Sequence, residues 1–296
     1  MQNNIEIFNK EGLEFLSDIS DCSIDLVLVD PPYITSKESG MDKWVKHVDQ
    51  QNKSGSVDIK TEKEWENYKS AEEWEQWFDS GGVPESLRNK HIEKLKQDYL
   101  KYGSIYGSKY AVQTDFGSWD TDFTMEQLEL FVKHFYRILK PSGTCIIFCD
   151  LWKISYLKES MEETKFKQLR FVEWIKTNPQ PRNSNVNYLT NCREQALLGV
   201  KKDKPTFNSR YDNGIYQYPI YWGKDRCHPT QKSLLLFEDL ITKHSNRDDT
   251  VLDCFLGSGT TALAAHNTGR KFIGCELDKG YYDKCMERMN LTKDKE

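Results

Sequence analysis

Apolar residues in this chain gather into short unbroken runs set between glycine, proline and charge. Ile24-Asp25-Leu26-Val27-Leu28-Val29 is one of the densest. A run of that length, rich in β-branched residues, predicts a strand buried on both faces, as in a parallel sheet. It stops at Asp30-Pro31-Pro32-Tyr33. Thr250-Val251-Leu252-Asp253-Cys254-Phe255 predicts a second such strand and runs into Leu256-Gly257-Ser258-Gly259-Thr260-Thr261-Ala262. A helix of small residues follows and ends near Gly269. Lys271-Phe272-Ile273-Gly274-Cys275 predicts a further strand, closed by Glu276. Strand, glycine turn, helix, strand and acid in that order define an α/β unit.

The pattern changes between these ends. From about Lys43 to Lys63 the chain is polar and without period. Ser70-Ala71-Glu72-Glu73 has capping-box form and predicts a helix carrying Trp74, Trp77 and Phe78 that stops at Gly81-Gly82. Pro84 suits the first turn of a second helix. Leu87, His91, Leu95 and Tyr99 follow at four-residue steps, with Lys90, Lys94 and Lys101 outward. Residues 36–110 therefore read as a helical insertion: a target-recognition element, a lid or a dimer surface.

The turn after the first strand has its own chemistry. In open α/β sheets, ligands bind at the carboxyl ends of the strands. Residues before proline are held extended, and the two prolines offer carbonyls but no N–H. An incoming amino group has two hydrogens, which the Asp30 carboxylate and the Pro31 carbonyl can accept. Tyr33 can stack on the ring that bears the amino group. The glycine turn suits a second ligand. Glycines permit close approach to backbone, and an acid about 20 residues on can accept from ribose hydroxyls. Gly257-Ser258-Gly259 with Ala262 also fits a dinucleotide pattern, so from this segment alone an NAD site stays open.

Composition narrows the class. The polar start, Met1-Gln2-Asn3-Asn4, predicts no secretory leader, and no apolar run reaches membrane-span length. Eight cysteines without a C-x-x-C pair read as reduced thiols of a cytoplasmic protein. The six histidines lack metal-ligand spacing, so no metal is expected. Net charge is −5, yet basic residues gather between Lys165 and Arg210, among them Arg170, Lys176, Arg182, Arg193, Lys201, Lys202 and Lys204. Asn183, Asn185, Asn187 and Tyr188 are interleaved with them. That mixture suits phosphate contact and base-edge reading.

Taken together, Asp30-Pro31-Pro32-Tyr33 and the C-terminal glycine turn make the chain resemble the S-adenosylmethionine-dependent DNA amino-methyltransferases, which act on adenine N6 or cytosine N4. With the tetrapeptide first and the glycine turn last, it resembles their circularly permuted β group. Leu139 to Phe148, Trp174 to Pro179 and His228-Pro229-Thr230-Gln231-Lys232 carry further likeness. Ser233 replaces the family's usual proline, and Glu11 stands where the family commonly has aspartate.

The resemblance implies a Rossmann-like, mostly parallel seven-stranded sheet with helices on both faces. Residues 1–35 and 111–296 would form the catalytic domain, with Ile5 to Phe8 as a strand beyond that of Glu276. It assigns Asp30, Pro31, Pro32 and Tyr33 to catalysis. Phe255, Gly257, Gly259 and Thr260 would surround the methionine end of S-adenosylmethionine. Asp253 would hold its amino group, Glu276 the ribose, Thr230 and Lys232 the carboxylate, and Glu11 the adenine. It implies DNA as partner and admits a homodimer and a cognate restriction endonuclease. Aspartate at position 30 leans toward adenine N6, since the family's cytosine enzymes more often carry serine there. Cytosine N4, RNA or protein-amide methylation, and a catalytically silent DNA-binding module remain alternatives.

Overall fold

In the computed structural model Leu26 and Leu28 enter one layer of core while Val27 and Val29 enter the other, and all four are fully buried. The run at Ile24 is thus a strand covered on both faces. The structure describes residues 4–32, 60–71, 85–102, 123–179, 192–221 and 231–293. The chain divides into two units, Met1–Ile34 with Gly117–Glu296, and Thr35–Phe116.

The first unit is built on one sheet of β1 (Ile5–Asn9), β2 (Ile24–Val29), β3 (Leu139–Cys149), β4 (Lys167–Lys176), β5 (Arg193–Val200), β6 (Ile215–Tyr218), β7 (Thr250–Asp253) and β8 (Lys271–Glu276). Their order is β1-β8-β7-β2-β3-β5-β4-β6. β5 alone runs against its neighbours, so the sheet is mostly parallel. β1 pairs with β8, the position expected of Ile5 to Phe8. The expectation of seven strands is corrected to eight among the described residues. The edge strand β6 has four residues, too few to show a period, and pairing with β4 makes it a strand.

The helices, in chain order, are α1 (Gly12–Asp18), α2 (Glu62–Ala71), α3 (Glu85–Tyr102), α4 (Met125–Ile138), α5 (Ile154–Glu163), α6 (Leu234–His244), α7 (Thr260–Asn267) and α8 (Lys279–Lys293). On one face of the sheet α1, α4 and α5 bury Phe15, Leu16, Phe131, Phe135, Leu157 and Met161. On the other, α6, α7 and α8 bury Leu236, Phe237, Leu240, Ala264, Cys285 and Met289. Layers on both faces leave the strand ends open to ligands.

In the second unit α2 begins at a capping box that the sequence reading passed over. The Thr61 N–H donates to the Glu64 carboxylate at 2.8 Å, and the Glu64 N–H donates back to Thr61 Oγ1 at 3.3 Å. The start expected at Ser70 is corrected: Ser70 and Ala71 lie in the last turn of α2. The earlier start lets the helix carry Trp65, 1% exposed, against Tyr99 of α3, with Tyr68 stacked on Tyr99 at 4.9 Å. Burial of those rings outweighs the local signal at Ser70. Trp74, Trp77 and Phe78 lie outside the described residues. α3 spans the stretch expected from Leu87 to Lys101.

Candidate active site

Strand register brings the two turns to one end of the sheet. β2 and β7 are parallel neighbours with Leu26 opposite Val251 and Val27 opposite Leu252. Continuing that register puts Asp30 level with Phe255. β7 is in turn parallel to β8, with Asp253 opposite Gly274, and β1 ends with Asn9 opposite Glu276. The carboxyl ends of β1, β8, β7 and β2 therefore form one continuous rim. Asp30, Asp253 and Glu276 are close enough for the other two charges to add to the upward pressure on the Asp253 carboxyl.

On the glycine side the turn is held by carboxylates. Asp253 is 2% exposed; its Oδ1 accepts from the Phe255 N–H at 2.9 Å and its Oδ2 from the Thr261 hydroxyl at 2.5 Å. Burial pushes this carboxyl up to about 7. Glu276 accepts from the Gly257 N–H at 2.6 Å and from the Asp278 N–H at 2.9 Å. Burial raises its carboxyl, and those two donors oppose the rise. Gly257 and Gly259 both have positive φ, 53° and 82°. A Cβ on Gly257 would meet nothing within 4 Å, whereas one on Gly259 would sit 2.4 Å from Cys285 Sγ. The open space over Gly257 beside an acid is a cradle that fits a nucleoside-bearing ligand.

The remaining residues on this side have structural partners. Thr260 opens α7, is 6% exposed and accepts from Arg288 at 3.2 Å. Phe255 lies 4.7 Å from the ring of Phe131. Glu11 caps α1 by accepting from the Glu14 N–H at 2.8 Å, at the end of β1 beside the rim.

On the proline side Pro31 is buried and Pro32 half-buried, beside a shallow depression also lined by Leu128, Phe148, Cys149 and Lys153. Lys232, 7% exposed, places its ammonium 2.9 Å from Asp30 Oδ2 and 2.5 Å from Glu194 Oε2. Glu194 Oε1 pairs with Lys176 at 2.6 Å. Burial would raise the Glu194 carboxyl, but Lys232 and Lys176 overcome it and hold it at about 2. Sequence reasoning missed Glu194 and grouped Lys176 with the basic stretch. Tyr33 and Thr230 lie outside the described residues.

Part of the basic stretch proves internal. Lys201 is 6% exposed and donates to the Leu139 and Arg137 carbonyls at 2.7 and 3.1 Å. Its expected place in a nucleic-acid surface is corrected: the long stem lets the ammonium cap the start of β3 from inside. Arg182, Asn183, Asn185, Asn187 and Tyr188 lie outside the described residues. Among the described residues no group of His, Cys, Asp or Glu could hold a metal ion, and no helix is long and apolar enough to cross a membrane.

The fold is shared with solved structures. The M1.HpyAVI-SAM complex is 24% identical with a TM-score of 0.57, covering 97% of this chain and 99% of that one. The cytosine-N4-specific PvuII DNA methyltransferase is 15% identical with a TM-score of 0.61, covering 97% and 87%. The type II methyltransferase M2.LlaDCHI of Lactococcus lactis subsp. cremoris is 32% identical over 72% of this chain and 87% of its own. M2.DpnII of Streptococcus pneumoniae is 33% identical over 66% and 80%. A family model described as DNA methylase, of the N6/N4 methyltransferases, matches residues 105–287, and the chain belongs to that family.

Proposed function

We propose that this DNA methyltransferase moves a methyl group from S-adenosylmethionine to the N6 amino group of an adenine turned out of the DNA stack. The reading rests on one observation: β2 and β7 are adjacent parallel strands, with Leu26 opposite Val251 and Val27 opposite Leu252, so the proline turn after one and the glycine turn after the other leave the same end of the sheet. Unstacking is needed because the amino group cannot be reached inside a duplex, and it costs a few kcal/mol.

Each turn then has a task. Gly257, Gly259 and Glu276 hold the donor, with Phe255 and Thr260 beside it and Asp253 bracing the turn. S-adenosylmethionine supplies a methyl group on a positively charged sulfur, which keeps the bonding electron pair as the methyl leaves. Asp30 and the Pro31 carbonyl accept the two amino hydrogens and draw the nitrogen lone pair out of conjugation. That lone pair forms the new N–C bond, and the surplus proton leaves the nitrogen with Asp30 as its nearest acceptor. Holding both partners in line offsets up to about 7–11 kcal/mol of the barrier. Residues 36–110 keep three readings, a target-recognition element, a lid or a dimer surface, and a cognate restriction endonuclease accords with the type II relatives.

Aspartate at position 30 favours adenine over cytosine. Nucleoside mass spectrometry of DNA treated with the protein and S-adenosylmethionine tests this. N6-methyladenine is expected. N4-methylcytosine would move the assignment to the other amino base, and binding to DNA without either product would mark a silent module.

A further inference from the structure

Asp30, Lys232, Glu194 and Lys176 make a chain of alternating charge. Lys232 lies 2.9 Å from Asp30 and 2.5 Å from Glu194, and Glu194 lies 2.6 Å from Lys176. The links come from the end of β2, the segment entering α6, the start of β5 and the end of β4. Lys232 is 7% exposed, and its ammonium lies 5.4 Å from the Phe148 ring centre. An ammonium this buried stays charged only when carboxylates surround it. The Phe148 ring stacks on Phe237 of α6 at 5.7 Å, so the wall under the ammonium is itself packed.

We propose that Lys232 is a positioning residue on the methyl-acceptor side: it fixes the Asp30 carboxylate through Oδ2, and Glu194 with Lys176 fixes Lys232. The proposal rests on Asp30 receiving the target amino group. It departs from the family likeness, which would put Lys232 at the carboxylate of the methyl donor. A carboxylate offers about four lone-pair sites, so it can take an amino N–H while bonded to Lys232. Glu194 and Lys176 act only through Lys232, and the low carboxyl of Glu194 keeps it charged throughout.

The test uses the full chain with Lys232→Met, Lys232→Arg, Glu194→Gln and, as a control, Asp30→Ala. Methyl transfer to duplex DNA is timed at saturating S-adenosylmethionine, and the affinity for S-adenosylmethionine is measured by calorimetry. Lys232→Met is expected to lower kcat about 100-fold while the Kd for S-adenosylmethionine stays within about twofold, the mark of an interaction that acts on the reacting state. Lys232→Arg should recover about tenfold of that loss, and Glu194→Gln should lose about tenfold with unchanged Kd. Weakened donor binding with kcat retained at saturation would overturn the proposal. If Asp30→Ala is inactive while Lys232→Met keeps its kcat, this proposal alone fails; if Asp30→Ala is active, the reading of Asp30 fails with it. Should Lys232→Met not fold by circular dichroism, Lys232→Arg and Glu194→Gln decide by the same two readouts. A wild-type kcat in both would then refute the proposal.

Discussion

The backbone N–H of Gly257 donates to Glu276 Oε2 across 2.6 Å, tying the turn after β7 to the end of β8. The other oxygen of Glu276 takes the Asp278 N–H at 2.9 Å. One carboxylate thus sets two adjacent loops and still has lone pairs for ribose hydroxyls. Glu276→Ala is expected to raise the Kd for S-adenosylmethionine at least about tenfold, or about 1.4 kcal/mol. It should also cost about 1–3 kcal/mol of stability for the N–H groups left without acceptor. Calorimetry and urea unfolding separate the two effects.

The two glycines of the turn should fail differently. Gly259→Ala would drive a Cβ into Cys285 Sγ at a φ of 82°, so the fold itself is expected to suffer. Gly257→Ala has open space around its Cβ at a φ of 53°. It should lose only about 1–2 kcal/mol for the left-handed backbone, yet obstruct the donor cradle. Thermal unfolding paired with S-adenosylmethionine titration checks this: Gly259→Ala is expected to fall first in stability, Gly257→Ala first in binding.

Asp253 gives stability a pH dependence. Burial moves its carboxyl from 3.8 to about 7. Below pH 3.8 the folded and unfolded chains both hold the proton, and burial carries no penalty. As pH rises toward about 7 the unfolded chain releases it first, so stability falls, and above that the loss is constant. Three units correspond to roughly 4 kcal/mol. Asp253→Asn should therefore gain on the parent as pH rises from 4 to 7. Chemical denaturation at each pH measures the gap, and a gap that does not widen would contradict the assignment.

Lys201 lies in the stretch whose composition suggests a nucleic-acid surface, yet its ammonium serves the Leu139 and Arg137 carbonyls. Lys201→Met should cost about 1–3 kcal/mol of stability, since the Leu139 carbonyl loses the ammonium and the Arg137 carbonyl keeps only the Cys22 N–H. The salt dependence of DNA binding should not change. A phosphate-contacting lysine would instead reduce the slope of log K against log salt by about 1.

The strands at Ile24, Thr250 and Lys271, and both turns, are legible in the sequence because each is a local signal: an apolar run, then proline or glycine, then an acid. Their meeting on one rim depends on β2 pairing with β7, which only the sheet supplies. Glu194 was hidden for a different reason. It begins a strand as an ordinary polar residue, and its partners Lys176 and Lys232 come from other elements. Thr61 was legible and passed over: Thr61-x-x-Glu64 is a capping box, but the same form at Ser70 competes with it. Lys201 was illegible, since composition cannot tell an ammonium facing solvent from one capping carbonyls inside.

The central claim is that Asp30 receives the acceptor beside a separate donor cradle at Gly257. The most direct measurement is methyl transfer to DNA by Asp30→Ala, alongside its affinity for S-adenosylmethionine. Transfer is expected to fall by more than about 100-fold while donor affinity stays within about threefold of the parent. An Asp30→Ala protein that still methylates DNA at the parent rate would contradict the claim.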